Sequence, residues 1–521
     1  MSHEHQQHLS RRGAVTLFAG ATAAAIQTGP AAAAELGAKS VRFAPSDLHF
    51  EITDRFRPVH VIAPRLVQYD TDRPGGRAAL DRVRSHGTVR TDQQPVAPWA
   101  SVVLDVRELG ANGSVTAGLQ TTSGEAVRVR YDAGADRASV ETVLSSVVRT
   151  LASVEVRLTA PFQLAFVVTA NSVGAFSSGG GYDAGIGRPW QPLLTDRGGV
   201  ADVMDLNKPT QLNRFYYAFG GEGATFARVQ AGPFGQFGLR DVSLVRNADG
   251  TPYVDDDGVL HFTATSSGVG YAHQAHTSVW RMDPADPVRM EQVGSHFFSY
   301  EGLLMGNHGG QLVRDADRGR FIALSCGGNL PRPGVTIRHG IGGEELLRGV
   351  YVIRSRRVEL PFKEAAWDPA LRLIDGRWHW AYVNVTDFQP SLRFRPVLAA
   401  AARGRDYDED VRIRKEDDYW PNNNEGCRLQ QFGDRWYLLT SDAESRQYVV
   451  RDMEMRPHRA LDALFPLGTP FPEVFPLTGP GGKDRWLMVT SDERAYEEGS
   501  GHPVLGYGVH GDVIVMQASR R

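Results

Sequence analysis

The stretch AAWDPALRLIDGRWHWAYVNV, residues 365–385, decides how the second half of this chain reads. It passes from a polar opening into an apolar strand and turns at Asp375-Gly376. It then returns as a strand whose alternate positions are Trp378, Trp380 and Tyr382. Period-two alternation on both sides of a Gly- or Asp-containing turn marks a β-hairpin. The plan recurs in LRDVSLVRNADGTPYVDDDGVLHFTATSS (239–267), GNHGGQLVRDADRGRFIALSC (306–326), NNEGCRLQQFGDRWYLLTSD (423–442) and PEVFPLTGPGGKDRWLMVTSD (472–492). Units start roughly 50 to 65 residues apart, slightly more than a four-stranded blade needs, and loops take the surplus. Residues 237–521 are therefore predicted to form a five-bladed β-propeller. A second β-sandwich cut from the same strands is the alternative, but it leaves the repeated DGRW and GDRW turns unexplained.

Upstream, residues 41–178 hold short alternating strands (SVVLDVREL, SVTAGLQTT, AVRVRYD, FQLAFVVTA) separated by Gly, Asn and Asp. They predict an N-terminal β-sandwich, so the fold class is all-β throughout. The Gly- and Pro-rich residues 179–236 read as an irregular linker. Residues 1–34 read as a signal peptide of the twin-arginine type, with SRRGAV at Ser10–Val15, an apolar run from Ala14 to about Ile26, and Ala31–Ala34. The expectation is secretion through the twin-arginine pathway. The apolar run is shorter than the roughly 20 residues that cross a bilayer, and no later segment reaches that length. No membrane partner is therefore expected. A net charge of −3 carries none of the basic excess that nucleic-acid binding requires. The two cysteines, Cys326 and Cys427, read as buried small residues, with one disulfide as the alternative.

The propeller units resemble the blades of the furanosidase-type five-bladed propellers, glycoside hydrolase family 43 and its relatives, including the fructan-cleaving invertase group. The residues that carry the resemblance are RDVSLV at Asp241, WDPALRLIDGRWHWAYV at Asp368 and EGCRLQQFGDRWYLLTSD at Glu425. It covers about residues 240–520 and operates at the level of the superfamily. It implies a glycosidase that cleaves furanosyl- or pentose-containing saccharides of the arabinan, galactofuranan, xylan or fructan type. A glycoside phosphorylase on the same fold and a non-catalytic carbohydrate-binding surface protein are the alternatives. In those enzymes the three acids come from the first, second and third blades. Here the second unit opens with Asn307 and His308, and the acids fall in units one, three and four.

Glycosidic cleavage needs one carboxyl group to protonate the leaving oxygen and another to activate water or attack the anomeric carbon. A third acid can orient the sugar or raise a neighbour's pKa. Acids at matching places in successive blades converge on a central funnel, so Asp241, Asp368 and Glu425 are the catalytic candidates. The resemblance implies Asp241 as base or nucleophile, Glu425 as general acid and Asp368 as the orienting group. Each aspartate could instead cap a turn. Substrate-binding candidates are His308, Asn307, Asn424, Trp420, Glu473 and Arg240, the last able to hold a neighbouring carboxylate instead. Glu301 and His502 are weaker candidates for the same role. No cofactor or metal ligand set is expected. A structural calcium ion is not indicated, since Asp255–Gly258 (DDDG) lacks the spacing of a calcium loop and reads as a hairpin turn.

Overall fold

The WDPAL unit folds as an antiparallel hairpin, Ala365–Ile374 with Arg377–Asp387, paired from Ala365↔Val385 to Ile374↔Arg377. Asp375 and Gly376 close it with φ of 49° and 69°. A two-residue loop with both residues left-handed matches the twist of the flanking strands, and Asp-Gly is suited to it. Trp378, Trp380 and Tyr382 all point into one apolar cluster, as their period-two spacing dictates.

The protein, described here from a computed structural model, is nearly all-β. The described residues are 44–520, except 57–65, 75, 182–189, 236–237, 270–271, 328–333, 418–423, 479–483 and 494–510. The proposed export signal at 1–34, Trp420 and His502 lie outside them.

Residues from Leu239 onward build five small sheets with propeller-like blades. Their inner strands are Leu239–Leu244, His308–Asp315, Ala365–Ile374, Asn424–Phe432 and Glu473–Thr478. The last sheet is completed by a strand from the other end of the chain. Leu48–Phe56 pairs with Asp512–Arg520, starting at Leu48↔Arg520. Separate apolar clusters join the first sheet to the second, the second to the third, the third to the fourth, the fourth to the fifth, and the fifth to the first.

The other strands before Leu239 form one ten-stranded sheet. Its spine is a pair of long strands, Trp99–Thr121 and Phe215–Pro233. The first half of Trp99–Thr121 pairs with Phe162–Thr169 and the second half with Ala126–Asp132. Between the halves Arg107–Asn112 is largely exposed, and the partner strand shifts register three times between Glu222 and Arg228. Such bulges bend a sheet, and residues of both halves meet in one core.

Two expectations change here. Residues 41–178 do not stand as a separate sandwich. Strands Gln191–Arg197 and Phe215–Pro233 belong to the same sheet, and its core includes Phe297 and Leu304 of the first small sheet and Val269 from the loop after its strand Leu260–Ser266. Trp99 stacks on Phe297 at 5.4 Å between ring centroids, and residues Arg42–Arg521 form one compact unit. Residues 179–236 are likewise not an irregular linker, because they contain the spine strand Phe215–Pro233. Its glycines look like turn signals but serve close approach. A Cβ on Gly220 would stand 2.3 Å from the Gly87 carbonyl oxygen of a neighbouring chain segment.

Candidate active site

The candidate acids owe their placement to a backbone irregularity repeated in four inner strands. Each strand slips register near its start: between Arg240 and Ser243, His308 and Gln311, Trp367 and Ala370, and Glu425 and Arg428. Within each slip one residue is left-handed: Asp241 (φ 53°), Gly309 (57°), Asp368 (53°) and Gly426 (72°). Aspartate tolerates this conformation better than most side chains, but strain of about 1–3 kcal/mol remains and has to be held by surrounding contacts. The alignment explains the missing acid of the second unit. Gly309 occupies the position of Asp241 and Asp368, and a Cβ there would lie 3.5 Å from Asp368 Oδ1. Glu425 comes one residue earlier in its strand, beside the left-handed Gly426.

Asp241 is 3% exposed and held on two sides. Arg240 Nε donates to Oδ1 at 3.1 Å, and Thr265 Oγ1 donates to Oδ2 at 2.8 Å. The Gly309 N–H in turn donates to Thr265 Oγ1 at 3.0 Å, so the second strand fixes the hydroxyl that fixes the acid. His308 Nδ1 stands 4.0 Å from Oδ2. Burial alone would raise this carboxyl, but the charges of Arg240 and His308 and the Thr265 and Arg240 hydrogen bonds outweigh it. The net direction is below the usual aspartate range, which keeps Asp241 ionised.

Asp368 is equally buried but is pushed the other way. Burial, then the negative charges of Glu425 and Asp241, raise its carboxyl well above the usual range, and the 2.9 Å bond from the Gly426 N–H offsets only part. Glu425 is partly exposed and also raised. Burial is its largest cause; Arg240 and Thr469 oppose it, and Asp241 and Glu493 add repulsion. The three acids thus act on one another electrostatically, Asp241 pushed toward its ionised form and Asp368 and Glu425 toward their neutral forms.

Arg240 faces its carboxylate neighbours, with Nη1 4.0 Å from Glu493 Oε1. Glu493 was missed in the sequence. It follows the strand Asp484–Asp492 and is raised by burial despite Arg240. The only sequence signal is that its TSD-E context repeats the TSD of residues 440–442.

Three of the substrate-binding candidates are buried and bonded within the fold. Asn307 is 2% exposed, and its Oδ1 accepts from Thr277. Asn424 is fully buried, and its Oδ1 accepts from Arg451 Nη2 at 3.1 Å and Thr440 Oγ1 at 3.2 Å. Glu473 is also fully buried, between Arg246 Nη2 at 2.5 Å and Arg428 Nε at 2.7 Å. It opens a strand that pairs regularly with Asp484–Asp492, without the slip that turns the other acids. All three side chains serve the packing of the strands. Glu301 lies in the exposed Glu301-Gly302 turn, with φ of 49° and 79°. Cys326 and Cys427 are buried and free.

A nearly all-β chain with propeller-like blades and a coupled acid cluster at the bulges of its inner strands is the class that fold and site define. No family model and no curated protein matches the sequence. Among solved structures, the chain is similar to a GH43_1 enzyme from Xanthomonas citri (14% identity, TM-score 0.39, 54% of this chain and 87% of that one). It is also similar to CoXyl43, a β-xylosidase/α-arabinofuranosidase from a compost microbial metagenome (13%, 0.37, 54% and 90%), and to a levansucrase variant from B. subtilis (9%, 0.39, 50% and 80%). Likeness this remote does not determine chemistry, which rests on the side chains of the site.

Proposed function

We propose that the protein is a glycoside hydrolase acting on furanosyl- or pentose-containing saccharides, with Asp241 as base or nucleophile and Glu425 as general acid. The observation that carries this reading is the gathering of acids at the bulges of the inner strands in opposed surroundings, Asp241 bonded to Arg240 and Thr265 and held down, Glu425 raised by burial. Acid–base cleavage of a glycosidic bond requires such a pair. Glu425 delivers its proton to the leaving oxygen as the bond to the anomeric carbon breaks. Asp241 removes a proton from the attacking water or attacks that carbon itself. Asp368, pushed toward its neutral form, accepts from the Gly426 N–H and so fixes the backbone beside Glu425. Arg240 and His308 hold Asp241 ionised and border the sugar site. We also read the five small sheets as blades of one closed ring, a reading supported by the apolar cluster between every neighbouring pair and by the pairing of Leu48–Phe56 with Asp512–Arg520.

The test is turnover on arabinan, galactofuranan, xylan and fructan oligosaccharides with product analysis. The expected result is a free reducing sugar released at a rate indifferent to phosphate. Strict phosphate dependence would make the protein a phosphorylase, and binding without cleavage across the panel would contradict the proposal.

The buried acids also predict how stability varies with pH. Asp368 is raised, so the fold holds its proton more tightly than the unfolded chain does. Its contribution is therefore favourable below the unfolded aspartate pKa near 3.9 and is lost as pH rises through the raised folded value. Asp368→Asn removes that loss, and asparagine accepts the left-handed backbone. The variant is expected to melt roughly 1–4 °C above wild type at about pH 7.5 and level with it below about pH 4. Thermal melts across this range check it; a variant less stable than wild type at neutral pH would contradict the assignment.

A further inference from the structure

A cluster of guanidinium groups that the proposed reaction does not use comes from farther along two of the inner strands, at Arg372 and Arg428, and from just beyond the end of a third, at Arg246. Arg246, Arg372 and Arg428 are each at most 4% exposed, and they share one buried carboxylate, Glu473. Arg246 engages all three of its nitrogens: Nε and Nη2 on Glu473, Nη2 also on the Val474 carbonyl, and Nη1 on the Gly250 carbonyl at 2.8 Å. Arg428 does the same, through Nε to Glu473, Nη1 to the Cys427 carbonyl and Nη2 to the Val242 carbonyl. Arg372 differs. Its Nη1 donates to the Leu371 carbonyl at 2.6 Å and to Gln311 Oε1 at 3.4 Å, but Nε and Nη2 have no hydrogen-bond partner among the described residues, although the side chain is fully buried.

Among the described residues, three guanidinium groups meet one buried carboxylate, with the exposed Asp249 as a further counter-charge to Arg372, so positive charge is in excess in the interior. A buried charge persists only where a counter-charge and hydrogen bonds meet it. Burial and the neighbouring Arg246 and Arg428 press Arg372 toward losing its proton, and Glu473 and Asp249 oppose them. Arginine does not lose it in proteins. The Gly250 turn closes over the group: a Cβ on Gly250 would stand 2.4 Å from the Trp436 ring and 3.5 Å from Arg372 Cδ.

We propose that the protein binds a small monovalent anion of the chloride class at Arg372, held by its Nε and Nη2 donors and by the charges of Arg246 and Arg428. The unused donors form the contact, and the excess positive charge sets the sign of the ligand. A halide is small enough for so closed a position. The site is independent of the saccharide reading and would stand if no glycan were cleaved.

The decisive measurement is the crystal structure of the full chain grown in bromide, with anomalous data. The expected result is a bromide peak in hydrogen-bonding contact with Arg372 Nε or Nη2. A water molecule in that place, with no anomalous signal, would overturn the proposal. In solution, replacing gluconate by chloride at constant ionic strength should raise Tm by roughly 1–4 °C, as expected for a ligand that binds only the native state. Arg372→Met should remove this response, and an unchanged response in that variant would also overturn the site. If the variant does not fold, the bromide data on wild type decide alone.

Discussion

Asp241→Asn is expected to lower turnover on every cleaved saccharide by on the order of 10²–10⁴-fold while leaving saccharide affinity nearly unchanged. Asparagine is the informative replacement because residue 241 is left-handed, at φ 53°. Alanine there would add backbone strain to the loss of the carboxylate. Stability should move opposite to Asp368→Asn. Asp241 is lowered in the fold, so its contribution is present above the unfolded aspartate pKa and is lost as pH falls through the folded value. Removing the charge should therefore destabilise the protein at neutral pH. Steady-state kinetics, binding calorimetry and thermal melts separate these effects. Retention of near-wild-type turnover by Asp241→Asn would remove Asp241 from the chemistry.

Glu425→Gln should produce a loss that depends on the leaving group. A sugar alkoxide leaves poorly and needs a proton, which burial and acidic neighbours favour on Glu425. Oligosaccharide cleavage should fall by roughly 10²–10⁴-fold, whereas nitrophenyl glycosides, whose phenolate departs unaided, should stay within about tenfold of wild type. The basic limb of the pH–rate profile should disappear in the same variant, because that limb reports deprotonation of the acid. Equal losses on both substrate types would shift the acid role to a neighbour, with partly buried Glu493 beside Arg240 the first to examine.

The hairpins were legible because their signal is local. Asp375-Gly376 adopts the conformation that suits such a dipeptide, and Trp378, Trp380 and Tyr382 face one cluster at the spacing read from sequence. The grouping of Asp241, Asp368 and Glu425 was legible because repeated units put equivalent positions at equivalent places. What the repeat could not show is depth along the strand. A period-two pattern tells which face a residue takes, and a one-residue bulge reverses that face. Asp241 and Asp368 sit on such bulges, whereas Glu473 begins a regular strand and becomes the buried partner of Arg246 and Arg428. The second unit looked defective because Asn307 and His308 were read as its opening, yet the matching position is Gly309. The long sheet was misdivided for another reason. Trp99–Thr121 and Phe215–Pro233 pair across about a hundred residues, a contact no local pattern reveals, and the glycines that permit it resemble turn signals.

The central claim is that a glycosidic bond lies between Asp241 and Glu425. Its most direct test is the crystal structure of Asp241→Asn with a bound oligosaccharide from the best-cleaved class. The expected result is a glycosidic oxygen within hydrogen-bond reach of Glu425, about 2.6–3.2 Å, with the anomeric carbon turned toward residue 241. A saccharide bound only elsewhere on the protein, with no sugar ring at these two side chains, would contradict the account.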